Sequence, residues 1–167
     1  MIHRDSTEYI KFIAPKMPVL CILGPRQSGK TTLANHLKTA LMLRNSLKLV
    51  YMVDGDDLRR IINNKDYSEQ GRRANIGQAI AIAKYLDDKN YDVIVSLVSP
   101  YKDLREELKA STNVIEIYVH TTDVRGREAF HVSDYEPPTE NFIDIDTTNV
   151  DVIVSLNELL TKIEPLL

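Results

Sequence analysis

The sequence predicts an α/β fold, a three-layer sandwich in which a mostly parallel sheet carries helices on both faces. Short apolar runs recur without polar alternation, as strands buried on both faces do. Segments of helical period separate them, which implies right-handed crossovers between parallel strands. A glycine-rich turn joins the first apolar run to the first helix, and every other chemically rich segment also follows a strand's carboxyl end.

The elements follow in order. Residues 6–14 place Tyr9, Ile10 and Ile13 on one helical face, and Pro15 and Pro18 end that helix. Val19 to Leu23 reads as the first strand. Thr31 to Leu43 reads as a helix with Leu33, Leu37, Ala40 and Leu41 inward. Leu49 to Val53 is a second strand ending at Asp54, and a polar stretch leads to a helix over Glu69 to Asn90. Ala79, Ile82, Ala83 and Leu86 form the apolar stripe of that helix. Asp92 to Val98 and Val114 to Val119 are further strands, with a helix over Lys102 to Ala110 between them. Residues 122–142 read as irregular, Asn141 to Asp146 as a short final strand, and Ser155 to Leu166 as the closing helix.

The 167 residues suit one domain spanning 1–167. A net charge of −3 supplies no overall positive field for nucleic acid or anionic membrane. The single cysteine, Cys21, excludes an intramolecular disulfide and sits among apolar neighbours, as a small buried hydrophobe would. No apolar run reaches bilayer-spanning length and no signal-peptide pattern stands at the start, so the expected compartment is cytoplasmic. His3, His36, His120 and His131 share no metal-binding spacing and are expected in exposed or packing roles.

Gly24-Pro25-Arg26-Gln27-Ser28-Gly29-Lys30-Thr31 fits the P-loop pattern completely. Small residues let the backbone wrap phosphates, and the helix that follows turns its N-terminus to the anion. Gly24, Gly29, Lys30, Thr31 and Thr32 are the expected nucleotide-binding residues, with Lys30 on the outer phosphates and the Thr31 hydroxyl on magnesium. ATP and Mg2+ are the implied cofactors. Pro25, Arg26 and Gln27 fill the variable positions. The fold class narrows to a P-loop NTPase sandwich.

Asp54-Gly55-Asp56 closes the second strand. Two carboxylates facing a phosphate loop suit magnesium binding and orientation of an attacking hydroxyl. The competing role is a turn capping the next helix through Asp56 or Asp57. Arg59, Arg72 and Asn75 suggest an anionic acceptor, because arginine grips anionic oxygens with two donors. Arg60 and Arg73 are expected on a solvated face.

Together these segments resemble the adenylylsulfate kinase (APS kinase) family, which phosphorylates the ribose 3′-hydroxyl of adenosine 5′-phosphosulfate. The likeness is carried by Gly24 to Thr31, Asp54-Gly55-Asp56-Asp57-Leu58-Arg59, Tyr67-Ser68-Glu69, Arg72, Asn75 and Val98-Ser99-Pro100-Tyr101. Asp134-Tyr135-Glu136-Pro137-Pro138 and Asp146-Thr147 extend it. The resemblance implies that Asp54, Arg59, Tyr67, Arg72, Asn75, Val98 and Ser99 bind the acceptor, with Tyr67 stacked on its adenine. It implies that Lys30, Asp56 and Ser99 are catalytic, and that Thr31 and Asp56 hold magnesium. Ser99 is also a position where family members carry phosphoserine, while a turn offering only backbone contacts is the competing role.

After the fourth strand the resemblance thins. The family has a basic lid there, whereas Asp123 to Phe130 runs almost directly into Asp134-Tyr135. Arg127 matches an arginine near the ATP base, and Phe130 an aromatic closing over the acceptor adenine. Gly71 and Ala74 replace acidic residues. A shortened lid implies fewer cations on the transferring phosphate and freer water access. Two further activities stay open: a related kinase acting on a nucleoside or a hydroxymethylated base in DNA, and a nucleotide-binding domain without turnover. The expected partner is a small-molecule nucleotide. Nucleic acid is disfavoured, a membrane is not expected, and a homodimer is left open.

Overall fold

The structure is a computed structural model, and it describes residues 16–45, 49–123 and 135–167. The helix read over residues 6–14, together with Arg127, Phe130, His131 and the shortened lid, lies outside the described residues.

Among the described residues, five parallel strands form one sheet in the order β2-β3-β1-β4-β5. They are β1 (Val19–Leu23), β2 (Val50–Asp54), β3 (Asp92–Leu97), β4 (Val114–His120) and β5 (Phe142–Asp146). The helices are α1 (Lys30–Arg44), α2 (Gly55–Ile61), α3 (Glu69–Asp88), α4 (Lys102–Ser111) and α5 (Val152–Ile163). β1 leads through α1 to β2 on one side of the sheet while its neighbour β4 leads to β5 on the other, so a crevice opens beyond the carboxyl end of β1.

The central strands are apolar on both faces because each face has its own core. Leu20, Ile22, Ile94, Ile117 and Ile145 pack with Leu33 and Leu37 of α1 and with Leu159 and Ile163 of α5. Val19, Cys21, Leu23, Val95 and Leu97 pack with Ile76, Ala79, Ile80 and Ala83 of α3 and Leu108 of α4. The stripe expected on α3 is therefore rotated: Ile76 and Ile80 are buried, while Ile82 is exposed. Ile82 stands one residue, about 100°, from Ala83, too far round to reach the sheet.

Two other boundaries differ from the sequence reading. The polar stretch after β2 contains α2, capped by Asp54 and not by Asp56 or Asp57: its carboxylate accepts the Asp56 and Asp57 N–H groups at 3.0 and 3.2 Å. The closing helix starts earlier, where the Asp151 carboxylate accepts the Ile153 N–H at 2.8 Å. It ends at Ile163, and Pro165 sits in a following 3-10 turn, Glu164–Leu166. Cys21 is buried as expected, and desolvation, aided by Glu116, pushes its thiol up to about 12.

One buried charge cluster braces the wall beside the crevice. Glu116 of β4 is 2% exposed and pairs with Arg105 of α4, Nε to Oε1 3.0 Å, and with Lys109. Arg105 also donates to the carbonyls of Ser99 at 2.8 Å and Glu136 at 2.7 Å. The Glu136 carboxylate accepts the Lys102 N–H at the start of α4, and its own N–H donates to the Pro100 carbonyl at 2.9 Å. The Tyr135-Glu136-Pro137-Pro138 segment thus straps the turn after β3.

Arg105→Met leaves the buried Glu116 carboxylate with Lys109 alone and removes the bonds to the Ser99 and Glu136 carbonyls, and should cost about 3 kcal/mol. Arg105→Met with Glu116→Leu should recover the part of that loss due to the buried charge, as read by chemical denaturation. A double variant no more stable than the single one would mean that the charges themselves hold the wall.

Candidate functional site

The turn after β1 is shaped by Gly24 (φ 148°) and Gly29 (φ 85°), both in backbone conformations that side chains disfavour. A Cβ on Gly24 would stand 1.9 Å from the Val119 carbonyl oxygen, so only glycine lets the loop pass β4 so closely. Behind the loop, the Thr147 hydroxyl donates to the Ser28 carbonyl at 3.0 Å. Gly29 begins α1 with no side-chain cap, which leaves the first N–H groups of α1 open to a phosphate.

Lys30 is 7% exposed and curls back over the loop, its Nζ donating to the Pro25 carbonyl and lying 3.4 Å from Ser28 Oγ. Burial pushes the ammonium down to about 8, Asp56 and Asp54 oppose that fall, and Arg26 adds to it. A bound triphosphate would replace these weak acceptors with full anionic charge.

The loop forms one side of an open cleft of about 400 Å³. Thr32, Asp54, Asp56, Arg59, Tyr67, Arg72, Asn75 and Val98 also line it, so most residues singled out from sequence meet in one place. Thr31 Oγ1 donates to Asp54 Oδ2 at 2.9 Å and lies 3.5 Å from Ser96 Oγ. Asp56, by contrast, is 82% exposed and faces Arg26, Nη2 to Oδ1 3.7 Å. The carboxylate nearest the Thr31 hydroxyl is therefore that of Asp54.

Arg59 is buried and already engaged, donating to the Asp66 carbonyl at 2.7 Å and stacking 4.5 Å from the Tyr67 ring centre. Arg72 differs: its guanidinium has no hydrogen bond or ion pair with any described residue. Asn75 donates to the Gly55 carbonyl at 3.3 Å, and its Oδ1 is buried in the cleft wall without a partner. Such an acceptor is costly to bury and suits a ligand hydroxyl. At Gly71 a Cβ would stand 2.4 Å from the Asp66 carbonyl oxygen, so the turn before α3 leaves no room for the acidic residue that the resemblance expects.

Ser99 does not line this cleft. It is 2% exposed and faces a small cavity between α3, α4 and the sheet, beside Cys21 and Glu116. Ser96 is a site residue missed in the sequence. It pairs in register with Asp54 of β2, and its signal was a lone hydroxyl near the end of an apolar strand. Arg73 pairs with Glu69 and Asp103, and Arg60 with Asp57, on the solvated face expected for them. His120 lies 3.2 Å from Asp144 and stacks on Tyr118.

The family model described as Adenylylsulphate kinase matches residues 16–129. This chain belongs to the adenylylsulphate kinase family. It is 30% identical over 168 residues to the adenylyl-sulfate kinase of Pseudomonas aeruginosa, covering 87% of this chain and 85% of that one. The adenylyl-sulfate kinase of Prochlorococcus marinus is 29% identical over 184 residues, covering 97% of this chain and 90% of that one. The fold also matches the Mycobacterium tuberculosis APS kinase CysC in complex with AMPPNP and APS. That match has TM-score 0.75 and 20% identity, over 90% of this chain and 99% of that chain. No described helix is long and apolar enough to cross a membrane.

ATP binding to this kinase should depend on the Lys30 proton. Below pH 8 the free ammonium is already charged and affinity should stay flat. As pH rises through about 8, binding must take up a proton, so affinity should fall toward tenfold per pH unit. Calorimetry from pH 7 to 9.5 checks this, with Lys30→Met expected to bind weakly at every pH. Wild-type affinity unchanged to pH 9.5 would show that the lysine is charged throughout.

Proposed function

We propose that this chain transfers the γ-phosphoryl group of ATP to the 3′-hydroxyl of adenosine 5′-phosphosulfate, giving 3′-phosphoadenosine 5′-phosphosulfate. One observation carries the reading. The phosphate loop and the Asp56–Arg72–Asn75 wall face each other across a single cleft, so donor and acceptor can meet without a large movement.

Magnesium fits the residues present. Thr31 Oγ1, Asp54 and Ser96 offer hard oxygen atoms within hydrogen-bonding reach of the loop hydroxyl. Among the described residues no three His, Cys, Asp or Glu side chains form a closed metal site, and magnesium needs only one or two carboxylates beside substrate phosphates. When bound, the ion would neutralise charge on the β- and γ-phosphates. Thr31 and Asp54 are the better placed pair to hold it, which leaves Asp56 to orient the acceptor hydroxyl and receive its proton.

The chain's own residues supply the rest. Lys30 and the loop N–H groups hold the triphosphate in line. Arg72 reads the phosphosulfate, Asn75 Oδ1 accepts from a ribose hydroxyl, and the Tyr67 face receives the adenine. Ser99 supports this wall through its backbone, since its carbonyl is held by Arg105. Arg127 and Phe130 would complete the ATP-base and acceptor-adenine contacts. The short 127–134 segment should leave some acceptor-free ATP hydrolysis.

Lys30→Ala should remove nearly all transfer while the protein stays folded, as followed by a coupled assay and thermal melting. Arg72→Ala should weaken adenosine phosphosulfate binding by ~10-fold or more and leave ATP affinity within about twofold, read by calorimetry. Equal loss for both ligands would assign Arg72 to the donor or to the fold. A screen in which nucleosides or modified DNA accept phosphate better than adenosine phosphosulfate would overturn the acceptor assignment.

A further inference from the structure

The third residue of the phosphate loop reaches across the cleft. Arg26 leaves the chain between β1 and α1, yet its Nη2 comes within 3.7 Å of Asp56 Oδ1 on α2. Its guanidinium carbon lies 5.5 Å from the centre of the Tyr67 ring, whose other contact is Arg59 at 4.5 Å. The side chain is 30% exposed and lines the cleft. It also stands close enough to Lys30 to help depress that ammonium. A second cation therefore sits where the mouth of the cradle meets the acceptor wall.

This position has a chemical consequence. A triphosphate threaded through the loop brings its terminal phosphorus to the mouth. An acceptor hydroxyl oriented by Asp56 would approach from the facing wall. In the step itself, a bond forms from the acceptor oxygen to the γ-phosphorus while the bond from that phosphorus to the β–γ bridging oxygen breaks. ADP leaves with that electron pair, and the hydroxyl proton passes to the Asp56 carboxylate. Negative charge is spread over the equatorial oxygens during transfer, and a planar guanidinium can bond two of them at once.

We propose that Arg26 is a catalytic residue that binds the γ-phosphoryl oxygens of ATP, a cation supplied by the donor loop itself. The proposal rests on reading the Asp56–Arg72–Asn75 wall as the acceptor side. The weak contact with Asp56 is one that an arriving phosphoryl group can replace, since that carboxylate is largely solvated. The Tyr67 face steadies the guanidinium without neutralising it. Lys30 holds the phosphate chain from beneath, and Arg26 covers it from above. A loop cation of this kind offsets part of what a shortened basic lid would remove.

The test compares ATP with ADP, both with magnesium, on the whole chain. Calorimetry on wild type, Arg26→Ala and Arg26→Lys should find ADP affinity within about twofold in all three. ATP affinity should fall by ~10-fold in Arg26→Ala and less in Arg26→Lys. Single-turnover transfer to adenosine phosphosulfate should slow by about 100-fold or more in Arg26→Ala, with partial recovery in Arg26→Lys. Equal changes for ATP and ADP, or transfer at the wild-type rate, would overturn the proposal. If Arg26→Ala fails to fold, the Arg26→Lys ratio decides in the same way. Wild-type protein that makes no product from adenosine phosphosulfate would refute the acceptor reading alone, because the ATP-to-ADP ratio still judges Arg26.

Discussion

The Asp54 carboxylate has two partners, and the geometry of the site depends on keeping both. One oxygen caps α2 through the N–H groups of Asp56 and Asp57, and the other accepts the Thr31 hydroxyl from the phosphate loop. Asp54 ends β2, and Thr31 stands one residue into α1, which follows β1. These strands are not neighbours, since β3 lies between them and offers Ser96 in register with Asp54. The sheet brings three oxygen-bearing residues to one height at its carboxyl edge. The phosphate loop and α2 then share an anchor, and a shift in either is felt by the other.

The same edge holds polar groups that the fold does not satisfy. Asn75 Oδ1 lacks a partner, the Arg72 guanidinium has none among the described residues, and Lys30 is buried against neutral oxygens. Elsewhere the structure pairs its buried charges, as Arg105, Lys109 and Glu116 show. The contrast marks the cleft as the place where a ligand completes the hydrogen bonding, with stability given up for preorganised binding.

Much of this was legible in the sequence for identifiable reasons. The strands were visible because two cores demand apolar residues on both faces. The phosphate loop was visible because Gly24 and Gly29 meet constraints that few other residues can. The resemblance grouped Arg72, Asn75 and Tyr67, and the structure lines one cleft with all three. Other features depend on tertiary placement. Asp54 and Asp56 look alike as text, and only the α2 cap separates the half-buried anchor from the solvated carboxylate. Ser99 reads as a pocket residue by motif, yet the strap from Glu136 and Arg105 turns it inward. The stripe of α3 was misread at Ile82 because an apolar residue adjacent to a true core position satisfies a loose helical period. Arg26 carried no signal, since its approach to Asp56, thirty residues further along the chain, depends on how the loop and α2 are placed.

The central claim is that donor and acceptor meet across one cleft anchored by Asp54. A crystal structure with a non-hydrolysable ATP analogue, magnesium and adenosine 5′-phosphosulfate tests it most directly. The claim predicts the analogue's terminal phosphorus at the mouth of the loop, the acceptor adenine against Tyr67, and the 3′-hydroxyl about 3–3.5 Å from that phosphorus beside Asp56. An acceptor bound away from the Asp56–Arg72–Asn75 wall, or with its 3′-hydroxyl turned from the phosphorus, would contradict it.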